Sequence, residues 1–113
     1  DEALTFIETL PAECIDLVLV FFPDPWPKKR HHKRRLVNDE FIRCLAGKLV
    51  IGGRVLVATD WAPYAEEIDA AFGRCAALDG GVTVRPDLRP KTRFEARGER
   101  LGHEVFDFAY QRG

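Results

Sequence analysis

Cysteine is scarce in this chain of 113 residues: Cys14, Cys44 and Cys75 stand about thirty positions apart, and there is no Cys-x-x-Cys pair. An odd, scattered set excludes a disulfide framework and a zinc cluster and suits a reducing compartment. Long apolar runs are missing too. The longest, Leu17 to Pro23, falls far short of the about 20 residues a membrane-spanning helix needs. The chain opens on Asp1-Glu2 without a basic leader or a small-residue cleavage site, so no signal peptide is expected. Repeats, low-complexity tracts and an evident linker are also lacking. These absences predict a cytoplasmic protein with no membrane partner, and the length allows one domain at most.

What is present is polarised. Seventeen Lys and Arg nearly balance eighteen Asp and Glu, for a formal charge of −1. Six of those cations occupy the eight positions from Lys28 to Arg35, which hold no acid, so the segment carries +6 and the remainder −7. This distribution excludes a generally basic coat and leaves room for one local polyanion site.

The apolar period changes along the chain, and the changes predict the elements. Leu4, Phe6, Ile7 and Leu10 fit one face of a short helix ending near Pro11. Cys14 to Phe22 reads as a strand buried on both faces, ended by Pro23, Pro25 and Pro27. Phe41, Ile42, Leu45 and Leu49 make a helical stripe that Asn38 or Asp39 would cap. Gly52-Gly53 reads as a turn before a second buried strand, Arg54 to Thr59. Pro63 suits the first turn of a helix with Ile68 and Phe72 inward, and Gly80-Gly81 would break it before a short strand from Val82. Residues 86–91 read as a loop, 92–101 as a helical turn or two, and Val105 to Tyr110 as the last strand. The alternation predicts an α/β domain with a mainly parallel sheet flanked by helices. In such sheets ligands sit beyond the carboxyl ends of strands, where Asp24 and Asp60 both fall.

Three clusters could carry chemistry. In Phe21-Phe22-Pro23-Asp24-Pro25-Trp26-Pro27 an acid lies on a stiff, extended backbone with open carbonyls and a ring nearby, parts suited to a flat nitrogen-rich ligand; a proline-rich loop with a capping Asp is the plainer reading. Lys28 to Arg35 is dense enough to call for a polyanion, although charge runs are often only solvated faces. Adjacent to the Asp24 loop it suits phosphate contacts beside a base pocket. His31 and His32 point apart on any regular element and have no third ligand, so phosphate or sugar contact is expected rather than a metal. Thr92-Arg93-Phe94-Glu95 has the spacing of a capping box.

Taken together these blocks resemble the tRNA (guanine-N7-)-methyltransferases. Phe21 to Leu36 is similar to the family signature, Ala58-Thr59-Asp60-Trp61 with Tyr64-Ala65 to its second block, and Thr92 to Glu95 through Arg100-Leu101-Gly102-His103 to its third. The resemblance implies a Rossmann-like fold and methyl transfer from S-adenosylmethionine to N7 of a guanosine in the tRNA variable loop. It implies Asp24 as the catalytic acid, also beside the cofactor, and Asp1 as a cofactor contact. Lys28, Asp60, Thr92, Arg93, Phe94 and Glu95 become substrate-binding residues, and Arg30, His31, His32, Lys33, Arg34 and Arg35 the tRNA contacts. The chain departs from the family in lacking a Gly-x-Gly-x-x-Gly loop between a strand and a helix. Residues 1–113 are therefore expected to be the C-terminal half of such a domain, inactive when isolated. A non-catalytic RNA-binding module built on residues 28–35 and a methyltransferase acting on another base nitrogen are the alternatives.

Overall fold

The computed structural model describes residues 2–91 and 104–113. The order is α1 (Glu2–Glu8), β1 (Ile15–Phe21), a 3-10 helix (Lys29–Arg34), α2 (Asp39–Lys48), β2 (Leu49–Thr59), α3 (Ala62–Gly73), β3 (Leu78–Thr83) and β4 (Phe106–Arg112). Asn38 caps α2, its Oδ1 accepting the Phe41 amide at 2.9 Å. Pro63 stands in the first turn of α3, where no amide is needed.

The four described strands lie in the order β1-β2-β4-β3. β1 pairs parallel with β2, whereas β4 pairs antiparallel with both β2 and β3. Three strands thus share one direction, as predicted, but the last strand inserts between two of them and makes the pairing mixed. Its close fit against β3 rests on Gly80, where a Cβ would stand 2.0 Å from the Ala109 carbonyl oxygen.

Helices α2 and α3 cover one face of the sheet. Phe41, Ile42 and Leu45 from α2 and Tyr64, Ile68 and Phe72 from α3 pack with Val55, Val57, Phe108 and Tyr110 of the strands. Phe72 and Tyr110 stack at 3.9 Å between centroids, and the Tyr110 hydroxyl donates to Asp69 Oδ1 at 2.8 Å. Burial, reinforced by that carboxylate, pushes the Tyr110 phenol well above its ordinary pKa.

Several local expectations need correction. β1 is an edge strand among the described ones and is not buried on both faces; Leu19 is 46% exposed. Phe6 points outward from α1, because it is out of phase with Leu4 and Ile7, which pack on the core. Gly52-Gly53 lies within β2, where the register jumps from Ile15↔Leu49 to Leu17↔Arg54 and Gly52 takes φ 84°. The pair forms a bulge rather than a turn between elements. α3 stops at Gly73, and Gly80-Gly81 belongs to β3.

Candidate functional site

Because β1 and β2 are parallel, Phe21↔Ala58 puts their carboxyl ends side by side, and Asp24 and Asp60 follow from the same rim. β4 starts and β3 ends there too, with Phe106 opposite Thr59 and Thr83 opposite Asp107. Thr83 and Phe106, which flank in sequence the stretch holding Thr92, Arg93, Phe94 and Glu95, therefore both lie at this rim. Those four residues, and Asp1, lie outside the described residues.

The Asp24 loop is held in an uncommon shape. The Phe22 amide adds one further bond to the sheet, donating to Ala58 O at 2.7 Å, after which Phe22 and Trp26 adopt φ 52° and 41°. Left-handed conformations cost bulky L-residues energy and persist where surrounding contacts impose them. Asp24 is exposed, and its Oδ1 accepts the Trp26 amide at 2.9 Å, closing a short turn around the carboxylate. Two of the loop carbonyls are not open, contrary to expectation. Pro25 O accepts from Arg35 Nε at 2.7 Å, and Pro27 O stands 3.3 Å from His32 Nε2.

The basic run is a 3-10 helix whose side chains divide by burial. Lys28, Lys29, Arg30, Lys33 and Arg34 are exposed, and His31 and His32 are half-buried. Trp26 gathers two of them: the His31 ring meets it edge-on at 5.6 Å, and the Arg34 guanidinium lies 5.1 Å over its face. Arg35 is different, being 3% exposed and ion-paired to Glu67 of α3. Its guanidinium also lies 4.8 Å over the Tyr64 ring. Burial holds the Tyr64 phenol above its ordinary pKa, and its oxygen accepts the Val37 amide at 3.0 Å.

Asp60 is exposed just beyond Thr59, whose Oγ1 accepts the Trp61 amide at 3.2 Å. Trp61 itself is 39% exposed, which leaves it at the surface rather than in the core. Below the rim lies a second arginine that sequence reasoning missed. Arg89, 1% exposed, grips Asp107 of β4 through Nε–Oδ1 at 2.6 Å and Nη2–Oδ2 at 2.8 Å, and lies 5.5 Å from the Phe22 ring centroid. Nothing in Pro86-Asp87-Leu88-Arg89-Pro90 marks that side chain as buried, since a loop arginine is ordinarily solvated. Among the described residues, no group of three or more His, Cys, Asp and Glu is placed to hold a metal ion.

This architecture recurs in solved methyltransferases. A putative DNA modification methylase from Thermus thermophilus superposes with a TM-score of 0.61 at 18% identity, covering 99% of this chain and 51% of that one. The aminoglycoside resistance methyltransferase NpmB1 gives 0.53 at 20% identity, covering 95% of this chain and 58% of that one. The fold is that of the methyltransferases, with the rim of Asp24 and Asp60 where such sheets bind ligands.

The chain belongs to the putative methyltransferase family, whose sequence model matches residues 1–108. It is 52% identical over 106 residues to a tRNA (guanine-N(7)-)-methyltransferase of Nitrosospira multiformis, covering 91% of this chain and 46% of that protein. A protein of the same name from Pseudomonas aeruginosa (strain UCBPP-PA14) is 53% identical over 103 residues, covering 87% and 42%. The chain thus spans about half the length of the curated relatives it matches.

Proposed function

We propose that this chain is the acid-bearing, tRNA-facing half of an S-adenosylmethionine-dependent tRNA (guanine-N7-)-methyltransferase. The observation that carries the reading is the exposed Asp24 carboxylate on a strained loop at the sheet rim, immediately followed by a helix of exposed cations. The relatives' names supply the substrate and the atom.

Guanine N7 presents a lone pair in the neutral base, so no proton need be removed before attack. The protein's task is positioning and compensation for positive charge that appears on the purine. Asp24 suits that task as an electrostatic stabiliser: its turn with the Trp26 amide fixes the carboxylate in place. Asp60 and Glu95 are suited to accept the N1–H and exocyclic amine of guanine, which adenine does not offer in that pattern. Lys28, Arg30, Lys33 and Arg34 are suited to the phosphates, with His31 and His32 beside them, which helps hold a backbone opened around the target base.

S-adenosylmethionine, when bound, supplies an electrophilic methyl group. The donor set fits its cationic end, since an exposed, oriented carboxylate is a natural partner for an ammonium or sulfonium; Asp24 would hold that end and Asp1 the adenosine part. The chain has no Gly-x-Gly-x-x-Gly loop for the remainder. That absence favours a second reading for the isolated chain alone, as an RNA-binding module without catalysis.

The test is formation of 7-methylguanosine in unmodified tRNA by the full-length gene product. Asp24→Asn should lower the rate by about 100-fold or more while tRNA affinity stays near its original value. An unchanged rate removes Asp24 from the mechanism.

A further inference from the structure

The last arginine of the basic run is turned away from solvent, and its environment is that of an internal tie. The 3-10 helix ends at Arg34, Arg35 is extended at φ −61° and ψ 129°, and its side chain enters the space between the Asp24 loop and α3. There the guanidinium meets three groups. Nε donates to Pro25 O at 2.7 Å, Nη1 pairs with Glu67 Oε2, and the plane lies on the Tyr64 ring. The following backbone is fastened as well: Arg35 O accepts from Asn38 Nδ2 at 3.2 Å, and the Val37 amide donates to Tyr64 Oη. A phosphate ligand needs a guanidinium that can reach a phosphate in solvent. This one is buried, and drawing it out would leave Pro25 O unsatisfied and Glu67 without its partner.

We infer that Arg35 is a positioning residue, which clamps the Asp24-Pro25-Trp26 loop to α3 and does not itself contact RNA. The consequence for the reaction rests on the methyltransferase reading above. Pro25 is the residue next to Asp24, and α3 begins just after Asp60-Trp61, so a tie from Pro25 to Glu67 holds both acids in one frame. Loss of the tie frees a loop whose left-handed Phe22 and Trp26 need outside contacts to persist. Trp26 is also engaged by His31 and Arg34, so two members of the basic run meet the same loop. The run therefore has two jobs: its exposed members face the solvent where RNA approaches, and its buried member sets the geometry behind them.

The experiment compares Arg35→Ala, Arg35→Lys, Glu67→Gln and, as a solvent-exposed control, Arg30→Ala in the full-length gene product. Three quantities are read at a temperature where every variant is folded: amide exchange of the Trp26 segment, tRNA affinity against salt, and the methyl-transfer kcat. Arg35→Ala should raise Trp26 exchange by roughly tenfold, the scale of a lost hydrogen bond. It should lower kcat by on the order of 100-fold, as misplacement of a reacting group does, with the salt slope unchanged. Glu67→Gln should change exchange and kcat in the same direction, and the double variant should do no more than Arg35→Ala alone. Arg35→Lys should not recover kcat, because an ammonium cannot serve Pro25 O and Glu67 in fork geometry. Arg30→Ala should show the reverse pattern, a salt slope reduced by about 0.7 with Trp26 exchange unchanged. The inference is overturned if Arg35→Ala reduces the salt slope as Arg30→Ala does, or if neither Arg35→Ala nor Glu67→Gln alters Trp26 exchange. Should the unmutated protein methylate no tRNA, the methyltransferase reading fails while the exchange measurements still decide the clamp.

Discussion

Replacing Asp107 by Asn gives a sharp test of the packing beneath the rim. Asp107 and Arg89 are 6% and 1% exposed and form two nearly parallel hydrogen bonds of 2.6 and 2.8 Å. A pair removed from water in this way draws little net stability from its mutual attraction, because desolvation offsets most of it. Removing one charge is another matter. The asparagine side chain would keep a single acceptor and set a neutral amide against the guanidinium buried beneath Phe22, a change that costs about 3–5 kcal/mol. That is a large part of the roughly 5–15 kcal/mol by which domains are stable. Urea denaturation of the full-length gene product should show the midpoint falling with the m-value unchanged. Joint replacement, Arg89→Met with Asp107→Leu, should return most of the loss, since it removes both desolvation costs. A loss below about 1 kcal/mol for Asp107→Asn would match a solvent-screened pair and refute the claim that the interaction is desolvated.

Three further outcomes follow from the same geometry. Arg30→Ala combined with Lys33→Ala should reduce the log–log salt slope of tRNA binding by about 1.4, two contacts at about 0.7 each on a single strand; an unaltered slope would make these residues a merely solvated face. The Tyr110 phenol is raised above its ordinary 10.0 by burial and Asp69, so its contribution to stability is complete below that value and declines as pH climbs from there towards the folded pKa. Urea midpoints between pH 8 and 11 should therefore fall less steeply in Tyr110→Phe than in the parent, and equal slopes would refute the assignment. The isolated 113-residue chain should bind S-adenosylmethionine at least about 100-fold more weakly than the full-length gene product by calorimetry, for want of a Gly-x-Gly-x-x-Gly loop; comparable affinity would show that these residues suffice.

The sequence is most legible where one physical rule governs several residues. The apolar stripe of Phe41, Ile42 and Leu45 and the inward Ile68 and Phe72 follow from helical period alone. The shared rim of Asp24 and Asp60 follows from parallel strands. Glycines are less legible, because a pair such as Gly80-Gly81 signals only that the backbone is unusual. The helix break it suggests and the close approach to Ala109 that it makes are equivalent in sequence and differ only once β4 is in place. The insertion of β4 between β2 and β3 is hidden for a similar reason: strand order depends on long-range pairing, which local period does not encode. In the site, Asp24 stands out through its prolines and ring, whereas nothing local distinguishes Arg35 and Arg89 from solvated arginines.

Those two arginines explain how a rim can present acids to a ligand and remain folded. Asp24 and Asp60 are exposed, and among the described residues the single bond to either carboxylate is the one Asp24 Oδ1 accepts from the Trp26 amide. The restraint has to come from behind. Arg35 supplies it on the α3 side by joining Pro25 to Glu67, and Arg89 supplies it from the other side by joining the 84–91 segment to Asp107 beneath Phe22. Both lie against aromatic rings, which shield the guanidinium from water and favour its charge. Both also pair with carboxylates, so the cations are neutralised locally. Lysine would serve poorly at either place, because a fork that bonds two acceptors in one plane is what fixes direction as well as charge. The outer cations then remain available to a polyanion, and the division between buried arginines that build the rim and exposed ones that face the ligand is set by burial rather than by residue type.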